Sequence, residues 1–220
     1  MTAHPEPQPV PGALSHRQIV TILVGLMMGM FLAALDQTIV ASAMRVIADD
    51  LKGLSSQAWV TTAYLITSTV VTPLYGKLSD IYGRKPFFIA AISIFTVGSM
   101  LCTLATSIGT LALYRAVQGL GAGGLFSLAL AIIGDIVPPR ERAKYQGYFL
   151  AVFGTSSVLG PVIGGFFAGQ DSILGVTGWR WVFLVNVPIA AAALVVVTRT
   201  LHLQHTRLDH RIDYWGALAL

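Results

Sequence analysis

The stretch Gly76-Lys77-Leu78-Ser79-Asp80-Ile81-Tyr82-Gly83-Arg84-Lys85-Pro86 decides how this chain is read. It is short and polar, and it separates two apolar runs, 59–75 and 87–104. Each run is close to the roughly 20 residues a helix needs to cross a bilayer. Two spans joined by so short a link form a hairpin, and its Lys and Arg assign the link to the cytoplasmic face. Gly76 is expected to end one helix, and Pro86 suits the first turn of the next. Asp80 lies within reach of Arg84. A cluster of Gly76, Asp80, Gly83, Arg84 and Lys85 can latch against another helix end in one conformation and release in a second. Topology alone accounts for Arg84 and Lys85, but not for Gly76, Asp80 and Gly83 together.

Composition agrees with a membrane chain. Of 220 residues, 55% are hydrophobic and 11% charged, against about 25% charged in soluble domains. Glycine supplies 22 residues, which suits helices that pack backbone to backbone in lipid. The formal net charge of +4 reflects cationic loops rather than a nucleic-acid surface. Cys102 is alone in an apolar run and reads as a small core residue.

Six spans are expected, at about 18–44, 59–75, 87–104, 110–136, 148–168 and 181–198. They divide the chain into a Pro-rich cytoplasmic tail over 1–17, a bundle of two three-helix units over 18–199, and a linker with the opening of a seventh span over 200–220. The chain therefore reads as the first half of something longer. With the N-terminus inside, Lys77, Arg84, Lys85, Arg140, Arg142, Lys144 and most other cations fall in cytoplasmic loops, while Arg45, Lys52 and Arg180 fall outside. That asymmetry sets the orientation.

Two charges sit where lipid should exclude them. Asp36 lies inside the first span and Arg115 inside the fourth, with Gln118 one turn on. Buried charge in a membrane is costly and marks a functional site by default. Counting from the span ends places both in the outer half, facing one cavity. A nearby cation would favour the ionised carboxyl and desolvation the neutral one, so such a group can take up and release protons. The structural alternative has Arg115 bonding helix carbonyls and Asp36 capping a broken turn. Asp135, before Pro138-Pro139-Arg140, reads as an interfacial loop anchor.

In the fifth span Gly160, Gly164 and Ala168 form a small-residue stripe for close helix approach, with Gly165 beside it. Pro161 removes a backbone donor and bends the helix. Gly119, Gly121 and Gly124 formally match a dinucleotide-binding pattern, but they lie in an apolar span with no preceding strand. There is no phosphate-binding Gly-Lys-Ser/Thr loop, and the spacing of His202, His205 and His210 matches no metal motif. No enzyme, cofactor or metal is expected.

Together these residues resemble the major facilitator superfamily. Gly76 to Lys85 is similar to its loop motif between spans 2 and 3, Tyr114 to Gly121 to its span-4 motif, and Gly147, Gly160-Pro161 and Gly164-Gly165 to the span-5 motif of its antiporters. Leu35 to Val40 and Trp179 to Pro188 look like its 14-span drug:proton antiporter branch. The resemblance implies proton-driven efflux of small lipophilic drugs or toxic compounds across the plasma membrane by alternating access, hence antibiotic resistance. Its partners would be a small-molecule substrate, protons, membrane lipid and the C-terminal half of the same transporter. It links Arg115 to proton transfer, Asp36 to coupling or substrate binding, and Asp80 and Arg84 to gating. Ser156 stands where the motif usually has Gly, Arg45 where the branch has Pro, and Ile81 where many members have a basic residue. The alternatives are a narrow-substrate metabolite or self-resistance exporter of the same fold, and a truncated membrane protein that does not transport.

Overall fold

The computed structural model describes residues 16–201. The Pro-rich stretch up to residue 15, the three loop histidines and the expected seventh span fall outside the described residues. Seven helices follow in order: α1 (His16–Asp50), α2 (Ala58–Tyr82), α3 (Arg84–Cys102), α4 (Ile108–Ile136), α5 (Arg142–Ala168), α6 (Trp181–Leu184) and α7 (Asn186–Thr200). A small hairpin, β1 (Ser172–Ile173) and β2 (Val176–Thr177), precedes α6. Its two-residue turn places Leu174 and Gly175 at positive φ, 52° and 79°, the twist that matches paired strands.

The fold is an all-α membrane bundle of six spans, the last of them formed by α6 and α7, which meet at Val185 in helical backbone (φ −61°, ψ −24°). Five stretches are long and apolar enough to cross a membrane, namely Arg17–Asp50, Arg84–Cys102, Ile108–Ile136, Arg142–Ala168 and Gly178–Thr200. The second expected span, α2, has the length but is diluted by Thr61, Thr62, Thr67, Ser68, Thr69 and Thr72. Those hydroxyls need not remain unsatisfied in lipid. Thr67 donates to Ala63 O at 3.0 Å, Ser68 to Leu65 O at 3.0 Å and Thr72 to Ser68 O at 2.8 Å.

Helices run past the apolar runs that predicted them. α1 ends at Asp50 rather than near Met44, so Asp36 lies about 21 Å of helix rise from that end, deeper than the sequence count placed it. Likewise α2 does not stop at Gly76. It continues to Tyr82 and ends at Gly83, whose φ of 101° and ψ of 147° only glycine adopts without strain. One residue of turn then suffices, because α3 starts at Arg84. Gly76 was expected to break the helix, but an interior glycine costs only about 1 kcal/mol and the backbone hydrogen bonds continue through it.

α4 is apolar around its whole circumference, as a central helix must be. It starts with a capping box: Ser107 Oγ accepts from Thr110 N at 3.2 Å, and Thr110 Oγ1 accepts from Ser107 N at 3.1 Å. Its glycines set its depth. A Cβ on Gly121 would fall 2.6 Å from Ala91 O of α3, and one on Gly124 would fall 2.8 Å from the Tyr75 ring. Gly119 meets Tyr64 and Thr67 of α2 as closely. These glycines are helix-packing surface, which leaves no room for a nucleotide. Around α4, α1 packs on α5, α4 on α2, and α3 on α7.

The apolar interior falls into two clusters. One contains Leu26, Ala33, Phe88, Phe95, Leu125, Ile132 and Ala193. The other contains Leu35, Ile47, Val60, Cys102, Leu111, Trp179 and Phe183. Between them runs a polar seam.

Candidate functional site

The seam is built from single polar residues, each set where its helix passes from one apolar cluster to the other. α1 supplies Asp36, α3 Ser99, α4 Arg115 and Gln118, and α7 Asn186, all buried to 1% exposure or less. Arg115 Nη1 donates to Asp36 Oδ2 at 2.5 Å and to Gln118 Oε1 at 2.8 Å. Gln118 Nε2 and Asn186 Nδ2 both donate to Asp36 Oδ1, at 2.9 and 2.7 Å. Asp36 thus accepts three hydrogen bonds from three side chains. Asn186 Nδ2 also donates to Ser99 Oγ at 3.0 Å, and Ser99 Oγ donates to Phe183 O at 2.9 Å. Below the guanidinium lies the Tyr64 ring, its centroid 4.0 Å from Arg115 Cζ, a cation–π contact in a dry setting.

The expectation that Asp36 and Arg115 share one environment therefore understated the arrangement, since the two are in direct contact. The structural alternative is not what the geometry shows. Arg115 bonds side chains rather than helix carbonyls, and α1 runs unbroken through Asp36. Gln118 links the pair and also lies 3.7 Å from Cys102 Sγ, the buried small residue that sequence implied. Close packing fixes the seam: a Cβ on Gly98 of α3 would sit 2.6 Å from Gln118 Cα.

A buried ion pair is weak evidence for stability, because desolvation offsets the attraction. Apolar residues of similar volume would hold these helices about as well. Among the described residues, two polar atoms of the seam, Arg115 Nε and Asn186 Oδ1, are also left without hydrogen bonds. Two such orphans at one place are a cost that packing alone does not explain.

A second charged cluster gathers at the α2–α3 turn. Arg84 Nη2 meets Asp80 Oδ1 at 2.6 Å, and Arg84 Nε meets Asp135 Oδ2 of α4 at 2.9 Å. Arg84 Nη1 also donates to Ser79 Oγ at 2.6 Å and Gly76 O at 3.4 Å. Gly76 therefore serves through its carbonyl rather than by ending α2. Lys85 Nζ donates to Thr198 O at 2.8 Å in the last turn of α7, a favourable place for a cation. The loop thus holds the ends of α4 and α7, and Asp135, read from sequence as an anchor only, is its acidic partner.

On α5, Gly160 and Gly164 face α1, where Thr38 and Ser42 leave no room for a Cβ. Thr38 Oγ1 donates across this contact to Ser156 O at 2.9 Å. Ser156 fits as a buried residue, its hydroxyl donating to Val152 O at 2.9 Å. Gly165, by contrast, faces open space. Pro161 is exposed within a helix that continues to Ala168.

Sequence reading missed Tyr64, Ser99, Ser79 and Asn186. Asn186 had a signal, an amide inside an apolar run, and the cost argument used for Asp36 applies to it too. Ser99 and Tyr64 had none, since both residue types are ordinary in spans. Trp179 and Arg180, seen as motif residues without a role, tie down helix ends. Trp179 Nε1 donates to Asp50 Oδ2 at 2.7 Å at the end of α1, and Arg180 donates to Thr103 O and Ala105 O just past α3.

Comparison with known proteins agrees with this architecture. The family model described as Major Facilitator Superfamily matches residues 26–215. Multidrug resistance protein 3 of Bacillus subtilis is 43% identical over 199 residues, covering 90% of this chain and 38% of that protein. Multidrug transporter protein MdtP of the same species is 42% identical over 180 residues, covering 82% of this chain and 32% of the relative. Among solved structures, a bacterial homologue of the human lysosomal transporter Spinster, inward-facing and unoccupied, superposes with a TM-score of 0.74 at 20% identity. That match covers 91% of this chain and 47% of the other. The chain thus spans about a third to a half of the length of these proteins.

Proposed function

This chain belongs to the major facilitator superfamily, and we propose that it is the N-terminal half of a proton-driven exporter of small lipophilic drugs or toxic compounds. It is a transporter chain and not an enzyme. In the proposed mechanism a proton entering from the outer aqueous phase adds to the Asp36 carboxylate. That leaves Arg115 without its counter-ion and favours the other arrangement of the bundle. Substrate leaves on one side and the proton on the other as the cavity alternates. We place the protein in the plasma membrane with its N-terminus in the cytoplasm, which puts the Arg84–Asp80–Asp135 cluster on the inner face as a latch. The pairing of α1 with α5 and of α4 with α2 supports two inverted three-helix repeats.

One observation carries the reading: the fully buried Asp36–Arg115 pair, hydrogen-bonded by side chains alone. Its cost is explained if it is made and broken in a cycle. The names of the two bacterial relatives favour drug export over a narrow metabolite substrate. The test uses the complete transporter in everted vesicles with an acid interior. Lipophilic cations and antibiotics are added, and proton release is followed by a pH-sensitive dye. Substrate-evoked release is expected with the native protein and absent in Asp36→Asn. Equal release from both would sink the role of Asp36.

A further inference from the structure

Resting on that reading, we propose that Asn186 is a positioning residue of the coupling centre, whose amide holds the charged form of Asp36 and ties its protonation to the junction of α6 and α7. Asn186 is the first residue of α7, directly after Val185, where α6 stops. It is fully buried, and its amide group bridges Asp36 Oδ1 and Ser99 Oγ. The orientation of that amide is fixed by chemistry. An ionised carboxylate only accepts, so the NH2 group must face Asp36, and the carbonyl oxygen is left without a partner.

A proton on Asp36 reverses the demand. The new O–H bond forms with the incoming proton, and the acid now has a hydrogen to donate. Rotation of the amide by half a turn presents Asn186 Oδ1 to that O–H, in exchange for the two bonds its NH2 group made to Asp36 and Ser99. The same rotation turns an acceptor toward Ser99, whose single hydroxyl proton now serves Phe183 O. That proton can satisfy either Asn186 or Phe183, not both. Phe183 lies in α6, one residue before its last. Protonation in the seam thereby reaches the main chain of α6, through two named hydrogen bonds.

The titratable groups around Asp36 are few. Arg115 contacts it from α4, and Tyr64 of α2 and Cys102 of α3 lie within electrostatic reach, all buried. On α5 the titratable residues Arg142, Lys144, Tyr145 and Tyr148 are confined to its first two turns, and on α7 Arg199 lies in the last turn. Asn186 is thus, with Gln118, one of two neutral donors to Asp36, and its replacement by leucine changes the hydrogen bonding of Asp36 without changing the charge of the site.

The experiment measures substrate-evoked proton release across pH in the complete transporter, comparing the native protein with Asn186→Leu, Asn186→Asp and Asp36→Asn. A hydrogen bond to a charged group is about twice as strong as a neutral one, so losing the amide weakens the ionised form more than the acid. The pH midpoint should move upward by about one unit in Asn186→Leu, a tenfold change in proton affinity. It should move further in Asn186→Asp, which is nearly isosteric and adds a like charge. An unmoved midpoint in both variants, or in Asn186→Asp alone if the leucine variant fails to fold, would overturn the proposal even if stability falls. Release retained by Asp36→Asn would instead overturn the parent reading, and the role of Asn186 with it.

Discussion

Two arginines in this chain meet carboxylates at nearly the same distance and in opposite surroundings. Arg115 and Asp36 touch at 2.5 Å with 2% and 0% of their side chains exposed. Arg84 meets Asp80 at 2.6 Å and Asp135 at 2.9 Å, with exposures of 17%, 43% and 50%. Near water, such contacts are screened and typically contribute up to about 1 kcal/mol each. In the buried seam each charge depends on its partner, because neutral amides are all that otherwise replaces lost hydration. The same chemistry is therefore a weak, easily released latch at the turn and an all-or-none interaction in the seam. A conformational cycle has use for both, one to open with little resistance and one to change state only when a proton arrives.

The comparison is tested most severely by removing one member of the buried pair. Arg115→Leu leaves Asp36 charged and without its cation, and should destabilise the complete transporter by about 3–5 kcal/mol, read as a fall in thermal unfolding temperature in detergent. The next largest effect is steric and belongs to the same seam. Gly98→Ala drives a methyl against the backbone of Gln118 and should cost about 1–3 kcal/mol, whereas Gly165→Ala, which faces open space, should unfold at the native temperature. At the turn, Gly83→Ala forces a side chain into a backbone region reserved for glycine and should cost about 1–3 kcal/mol while leaving the seam intact. Smallest is Asp135→Asn. Arg84 keeps Asp80 and Ser79, so stability should fall by less than about 1 kcal/mol, and the loss should shrink further at high salt. A large, salt-independent loss in Asp135→Asn would erase the distinction between the two clusters.

The two regions also differ in how far sequence revealed them. Asp36 and Arg115 stood out because charge is rare in apolar runs, and the cost of burying it made them a pair before their contact was known. Asp36 lies farther from its helix end than the count gave, because α1 runs on to Asp50, while α4 begins within two residues of the expected start. The turn was recognised from its polarity and charges, yet its geometry was read about two turns too early. Gly76 and Gly83 look alike in sequence, and only the conformation at Gly83, with φ of 101°, shows which one ends the helix. Neutral polar residues were the least legible. Ser99, Tyr64 and Asn186 become functional candidates only when three helices gather them around one ion pair, Asn186 on Asp36, Ser99 behind Asn186 and Tyr64 under Arg115. The division of the apolar interior into two clusters was likewise invisible, since it depends on which helices face each other and not on any local pattern.

The central claim is that the Asp36–Arg115 pair exists for coupling and not for holding the helices together. The direct test replaces both members by apolar residues of similar size, Asp36→Leu with Arg115→Met, in the complete transporter, and measures thermal unfolding and substrate-evoked proton release on the same preparation. The account predicts an unfolding temperature well above that of Arg115→Leu alone, together with no proton release. A double variant that still couples substrate to protons, or one that unfolds as readily as Arg115→Leu alone, would contradict it.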